Sequence, residues 1–129
     1  MLDNIRIKAT AKTPEVSFNY DKGELEIIGR SIPENSYQFY EQLLSWLDTY
    51  ATAPKDKTTV VFKLEYFNTS SSMYILSILK KIEKIYNAGY ATQVKWFYES
   101  EDEDMLQTGE DLRQVVKMPV EMIEIDENA

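Results

Sequence analysis

Thr58-Thr59-Val60-Val61-Phe62-Lys63-Leu64-Glu65-Tyr66-Phe67, running straight into Asn68-Thr69-Ser70-Ser71-Ser72-Met73, decides how the rest of the chain is read. The first segment is rich in Val, Phe, Tyr and Thr, and Val60-Val61-Phe62 is unbroken apolar. That composition predicts a strand buried on both faces, as in a parallel sheet. The polar residues after it are helix-cap types. Beyond them Ile75, Leu79, Ile82 and Tyr86 share one helical stripe, with Leu76, Ile78 and Ile85 beside it. Gly89 stands where a helix C′ glycine belongs. The segment is therefore a strand feeding a helix.

Outward from this unit the period alternates between two and 3.6. Upstream, Tyr40, Leu43, Leu44, Leu47 and Tyr50 recur at helical spacing after Ser31-Ile32-Pro33-Glu34-Asn35, which combines cap residues with an expected first-turn proline. Further back, Ile5–Ala9, Val16–Tyr20 and Leu25–Ile28 read as strands. Asp21-Lys22-Gly23 turns between the last two, with Gly23 at positive φ, so an antiparallel meander opens the chain. Downstream, Gln93–Tyr98 reads as a strand and Ser100-Glu101-Asp102-Glu103 as a capping box. Met105, Leu112, Val115 and Val116 give a third helix its apolar side, weakened by Gly109; Pro119 stops it, and Val120–Ile125 is a last strand. The order β-β-β-α-β-α-β-α-β predicts an α/β domain with a mixed sheet, parallel in its second half, and helices on at least one face.

At 129 residues with 43% hydrophobic side chains the chain has room for a single domain, 1–129, with its own core. It contains no Cys and no His, which excludes disulfide scaffolds, thiolate or imidazole metal sites and His-based triads. Isolated glycines give no phosphate loop or dinucleotide fingerprint. No cofactor and no metal is expected; Glu99–Asp104 lacks the glycine and alternating ligands of a calcium loop and reads as helix-capping charge. The net charge of −8 argues against a nucleic-acid partner. Residues 99–129 hold 11 acids and 2 bases, so all the net acidity lies in the last quarter. No apolar run is long enough to insert in a membrane, and the start has no signal-peptide layout, so a cytoplasmic protein is expected.

Chemistry concentrates in the hydroxyl tract. Ligands in open α/β sheets collect at the carboxyl ends of strands, and the first turn of a helix offers unpaired N–H groups with partial positive charge. Thr69 to Ser72 are thus placed to cap the helix or to accept a phosphoryl group. One cap needs one hydroxyl, and the tract supplies four. A phosphoryl group there adds about −1.5 to −2 charge. It is tolerated by the fold, yet turns a neutral surface into a dianion that expels one class of partner and recruits another. The aromatics Tyr37, Phe39, Tyr40, Trp46 and Tyr50 exceed one core stripe, so some are expected at the surface, where they leave a homodimer open.

The run Glu65-Tyr66-Phe67-Asn68-Thr69-Ser70-Ser71-Ser72 resembles the SiaC family of bacterial regulatory phosphoproteins, as do Ala9–Pro14, Gly29–Asn35 with Phe39-Tyr40, Glu103–Met105 and Gly109–Leu112. The resemblance spans essentially the whole domain. It implies a fold like that of the STAS domains, the anti-sigma-factor antagonists. It also implies a partner kinase and a partner phosphatase, with an unphosphorylated form that binds and activates a diguanylate cyclase in cyclic-di-GMP and biofilm signalling. The family's phosphoacceptor carries over onto Thr69, with Asn68, Ser70, Ser71 and Ser72 as partner-binding or phosphate-neighbouring residues.

Three other readings stay open on the residues alone. An enzyme would need a base for a Ser or Thr nucleophile, leaving Lys63, Glu65 or a distant carboxylate. A receiver-like phosphoacceptor would need an acidic pair after the first strand, where Thr10-Ala11-Lys12 stands. A small-ligand-binding STAS-like domain, or an anti-sigma-factor-antagonist-like partner switch, would share the fold; the former requires a protected pocket.

Overall fold

The computed structural model describes residues 2–126; Met1 and residues 127–129 of the expected 1–129 domain lie outside the described residues. The elements are β1 Ile5–Ile7, β2 Glu15–Asn19, β3 Glu24–Ser31, α1 Ser36–Tyr50, β4 Lys57–Phe67, α2 Thr69–Asn87, β5 Ala91–Glu99, α3 Glu103–Val115 and β6 Val120–Ile125. The order is the one expected. The six strands form one sheet in the spatial order β1-β2-β3-β4-β5-β6. The first two pairings are antiparallel and the remaining three parallel.

That order decides the layering. From β3 onward every helical crossover steps the same way across the sheet, and crossovers of one hand then put every helix on one face. Burial follows. Phe18, Leu25, Val60, Val94 and Val120 form one registered row beneath the helices, and Val16, Ile27, Phe62 and Trp96 the next. The opposite face carries the row Ser17, Glu26, Val61, Lys95 and Glu121. The expectation that β4 is buried on both faces is therefore corrected: Val61 is half-buried and Lys63 exposed, because no helix covers that side.

Local signals explain most boundaries. Gly23 adopts φ +65, and a Cβ there would lie 2.5 Å from the Lys57 carbonyl oxygen, so the β2–β3 turn demands glycine. Pro33 is not in the first turn of α1. Asn35 is the N-cap, its side chain accepting from the Gln38 amide, and Pro33 lies ahead of it. Likewise the α3 cap is Asp102, accepting from the Met105 amide, not Ser100. Gly89, at φ +102, follows the Ala88 C-cap of α2 as expected.

The α2 stripe comprises Ile75, Ile78, Leu79, Ile82 and Ile85, while Tyr86 faces solvent. Val115 is exposed, and Val116 leaves the helix in extended conformation before turning inward. Of the surplus aromatics on α1, Tyr40, Trp46 and Tyr50 are core, Phe39 is half-buried and Tyr37 is exposed. Among the described residues, no helix is long and apolar enough to cross a membrane.

Candidate functional site

The carboxyl end of β4 passes to α2 through one residue. Asn68 holds an extended backbone, and its Oδ1 accepts from the Ser71 amide at 2.9 Å. Its own amide donates to the Ser31 carbonyl at 3.0 Å, which ties the start of α2 to the end of β3. Ser72 N–H closes the first turn on the Asn68 carbonyl at 3.1 Å. Among the described residues, the amides of this helix start left without a partner are those of Thr69 and Ser70, at its first two positions.

The four hydroxyls do different things. Ser72 Oγ donates back to the Thr69 carbonyl at 2.6 Å. Ser70 Oγ donates to Asn68 Oδ1 at 3.1 Å and lies 2.6 Å from Ser36 Oγ, so Ser36 is the donor in that pair and the starts of α1 and α2 are joined. Ser71 is fully buried. Its Oγ donates to the Ser31 carbonyl at 3.1 Å and lies 2.8 Å from Ser31 Oγ, which in turn is 2.5 Å from the Tyr40 hydroxyl.

Each hydroxyl in this chain has one proton, so the assignment that satisfies all three contacts runs Tyr40 to Ser31 Oγ, Ser31 to Ser71 Oγ, and Ser71 to the Ser31 carbonyl. Burial pushes the Tyr40 hydroxyl above its ordinary value, against the smaller downward pull of its hydroxyl partners, and keeps it a donor. Thr69 remains. It is exposed at the first position of α2, and its hydroxyl has no hydrogen-bond partner among the described residues.

The expected hydroxyl patch is thus corrected to a smaller feature. Thr69 and Ser70 face solvent, Ser72 is half-buried, and Ser71 points into the core. Asn68 and Ser70–Ser72 are brought together, but as cap, interhelix link, core hydrogen bond and back-bond. Ser31, Ser36 and Tyr40 belong to the same network; Ser31 and Tyr40 read as cap and core residues of α1, and nothing local linked them to the hydroxyl tract, since Ser31 and Ser71 are 40 positions apart.

Two segments singled out in the sequence also meet nearby. Ile32 N–H donates to the Lys12 carbonyl at 2.8 Å, and Lys12 Nζ contacts Glu34 Oε1 at 2.8 Å. That exposed pair holds the Glu34 carboxyl below its usual range and raises Lys12, through a shared hydrogen bond and opposite charge.

Other chemistry is poorly served here. Lys63 Nζ lies 5.8 Å from the Phe97 ring centroid, and no base is hydrogen-bonded to Thr69 among the described residues. An apolar recess of about 130 Å³ opens between Ile28, Leu64, Phe97 and Ile125, and a wider depression of about 420 Å³ runs past Thr13, Pro33, Asn35 and Phe39. Among the described residues no three carboxylates group to hold a metal ion. On the elements that meet here, Tyr37 of α1, Tyr66 of β4 and Met73 of α2 are exposed.

A family model described as SiaC family regulatory phosphoprotein matches residues 7–125. An uncharacterised protein of Pseudomonas aeruginosa strain UCBPP-PA14 is 26% identical over 118 residues, 92% of this chain and 94% of that one. A chain in the crystal structure of diguanylate cyclase SiaD in complex with its activator SiaC, from Pseudomonas aeruginosa, superposes with a TM-score of 0.88. It is 26% identical and covers 94% of this chain and 99% of that one. Apo-SiaC of the same organism gives a TM-score of 0.86 at 25% identity, covering 94% and 98%.

Proposed function

This chain belongs to the SiaC family of regulatory phosphoproteins, and on that premise we propose that it is a binding protein without catalysis of its own, switched by phosphorylation of Thr69. Its output partner is a diguanylate cyclase, as SiaD is for the SiaC that resembles it. A kinase and a phosphatase set the state of Thr69. The observation that carries the reading is the Thr69 hydroxyl: exposed, unpartnered among the described residues, and first in a helix whose neighbouring hydroxyls are engaged.

The physical logic is local. A dianion at the first helical position meets the positive end of the helix dipole, so the fold tolerates it. The surface, however, changes from neutral to doubly charged without movement of the backbone. A partner that buries Thr69 against its own apolar atoms must then desolvate that charge, which is prohibitive without a matching cation.

Thr69→Ala is expected to retain the cyclase and its stimulation, and Thr69→Asp to lose both with the fold intact by circular dichroism. Phosphate added by the kinase is expected on the Thr69 peptide in mass spectrometry. Equal cyclase recovery with both variants, or phosphate confined to a distant residue, would remove Thr69 from the account.

A further inference from the structure

We propose that Ser31 and Ser36 are positioning residues for phosphoryl transfer to Thr69, holding the residues on either side of it so that its free hydroxyl meets the kinase at one fixed point. The proposal rests on the reading of Thr69 given above and adds what places the acceptor.

The Thr69 side chain makes no tether; its neighbours make them. Before it, the Asn68 amide donates to the Ser31 carbonyl at 3.0 Å. After it, Ser71 Oγ donates to that same carbonyl at 3.1 Å and lies 2.8 Å from Ser31 Oγ. One residue of β3 thus grips the chain on both sides of the acceptor. Between the two grips, Ser70 Oγ lies 2.6 Å from the hydroxyl of Ser36, the first residue of α1. Ser31 Oγ is itself 2.5 Å from the Tyr40 hydroxyl, one turn further along α1. Ser31, Tyr40 and Ser71 are fully buried, so water does not compete for these bonds. The start of α2 is held from two elements at once.

The strand ladder is set for this grip. The β3–β4 register slips by one residue between Gly29 and Arg30, which leaves Glu65 unmatched and puts Ser31 opposite Phe67. Without the slip Ser31 would stand opposite Tyr66, and its carbonyl would meet the Phe67 amide instead of that of Asn68. Irregular pairings that re-aim a strand end are over-represented beside functional sites.

Alignment is what the transfer demands. Thr69 Oγ1 forms a bond to the γ-phosphorus of a nucleoside triphosphate as the bond from that phosphorus to its bridging oxygen breaks. The nucleoside diphosphate leaves, and the hydroxyl proton passes to a base of the kinase. An acceptor misplaced by about 1 Å can lose about two orders of magnitude in rate. A kinase that instead reads Thr69 from an opened first turn would gain from loosening it. The two cases have opposite signs.

The fold also contains a control. At the other end of α1, about 15 Å from Tyr40, the Tyr50 hydroxyl lies 2.7 Å from Thr58 Oγ1, and both residues are fully buried. Tyr50→Phe therefore removes a buried hydroxyl contact of the same kind, remote from Thr69.

The test uses the full chain, the purified kinase of the same host and ATP, reading kcat and KM for phosphate on the Thr69 peptide. Ser31→Ala, Tyr40→Phe and Ser36→Ala are each expected to lower kcat about fivefold or more, with KM within about twofold of wild type. Ser36→Thr, which keeps the hydroxyl, and Tyr50→Phe are expected to match wild type. Ser36 is only half-buried, so Ser36→Ala decides the matter even if Ser31→Ala fails to fold.

A kcat at or above wild type in Ser36→Ala and Tyr40→Phe, with Thr69 phosphorylated, overturns the positioning role and leaves the switch standing. A raised KM at unchanged kcat makes these residues docking contacts and overturns it too. So does an equal fall in Tyr50→Phe, which traces the effect to lost stability. Absence of phosphate from Thr69 of the wild type overturns both readings.

Discussion

At the scale of single residues, identical chemistry does unlike work within one turn of chain. Ser71 and Ser72 differ only in helical angle, yet one hydrogen-bonds in the core and the other to its own helix. Ser71→Ala removes a buried hydroxyl that accepts from Ser31 and donates to a carbonyl, so it is expected to cost about 1–3 kcal/mol. Ser72→Ala is expected to stay within about 0.5 kcal/mol; urea unfolding of both variants checks the contrast.

Tyr40 gives the same network a pH signature. Its hydroxyl holds its proton beyond the ordinary value of 10.0. The stabilisation is therefore complete below that pH. It declines above it, as the unfolded chain releases a proton that the folded chain keeps. Unfolding titrations across alkaline pH are expected to fall more steeply for the wild type than for Tyr40→Phe, which has nothing there to ionise. The partition among the hydroxyls was not legible in the sequence. Ser70 to Ser72 are one residue type in a row, and only the helical phase, together with Ser31 arriving from another strand, decides which of them is buried.

At the scale of elements, Gly109 reverses its expected role. It reads as a weak point in α3, whereas the structure uses it for close approach. A Cβ at that position would lie 2.5 Å from Trp96 Cδ1 and 2.5 Å from Met122 Cε. The Trp96 indole is itself fixed, its Nε1–H donating to the Met105 carbonyl at 3.0 Å. Gly109→Ala therefore gains helix propensity but forces the helix off the ring, and a net loss of about 1–3 kcal/mol is expected in thermal or urea unfolding.

Helices and strands themselves were legible, because the hydrophobic period changes sharply at Ser31, Asn68 and Glu99. Cap positions were less so. Ser100 and Asp102 are both acceptable cap types, and the choice falls to the one whose carboxylate reaches the Met105 amide. The inward role of Gly109 depends on Trp96, which belongs to a different element.

At the scale of the whole molecule, burial is unevenly shared. The α2 helix buries six residues, α1 five, and α3 only Met105 and Gly109. The last strand buries Val120 alone. The α3–β6 unit is therefore more weakly anchored than α1, α2 and the central strands, and its amides are expected to exchange with solvent at least tenfold faster than those of β4 and α2. Hydrogen exchange with mass analysis checks this; equal protection across the sheet would contradict it.

The uncovered sheet face was the one architectural feature misread. Val60-Val61-Phe62 is apolar on both sides of the strand, but Val61 shares its side with Lys63, Glu26 and Lys95, on the face that no helix covers.

The spatial order of the strands repeats their order along the chain. A nascent polypeptide emerging from the ribosome thus never has to hold a strand in reserve for a neighbour still unsynthesised. Each new segment meets an edge already formed, and the sheet can grow by accretion at the pace of translation. Such a chain is spared the wait during which bare edges aggregate.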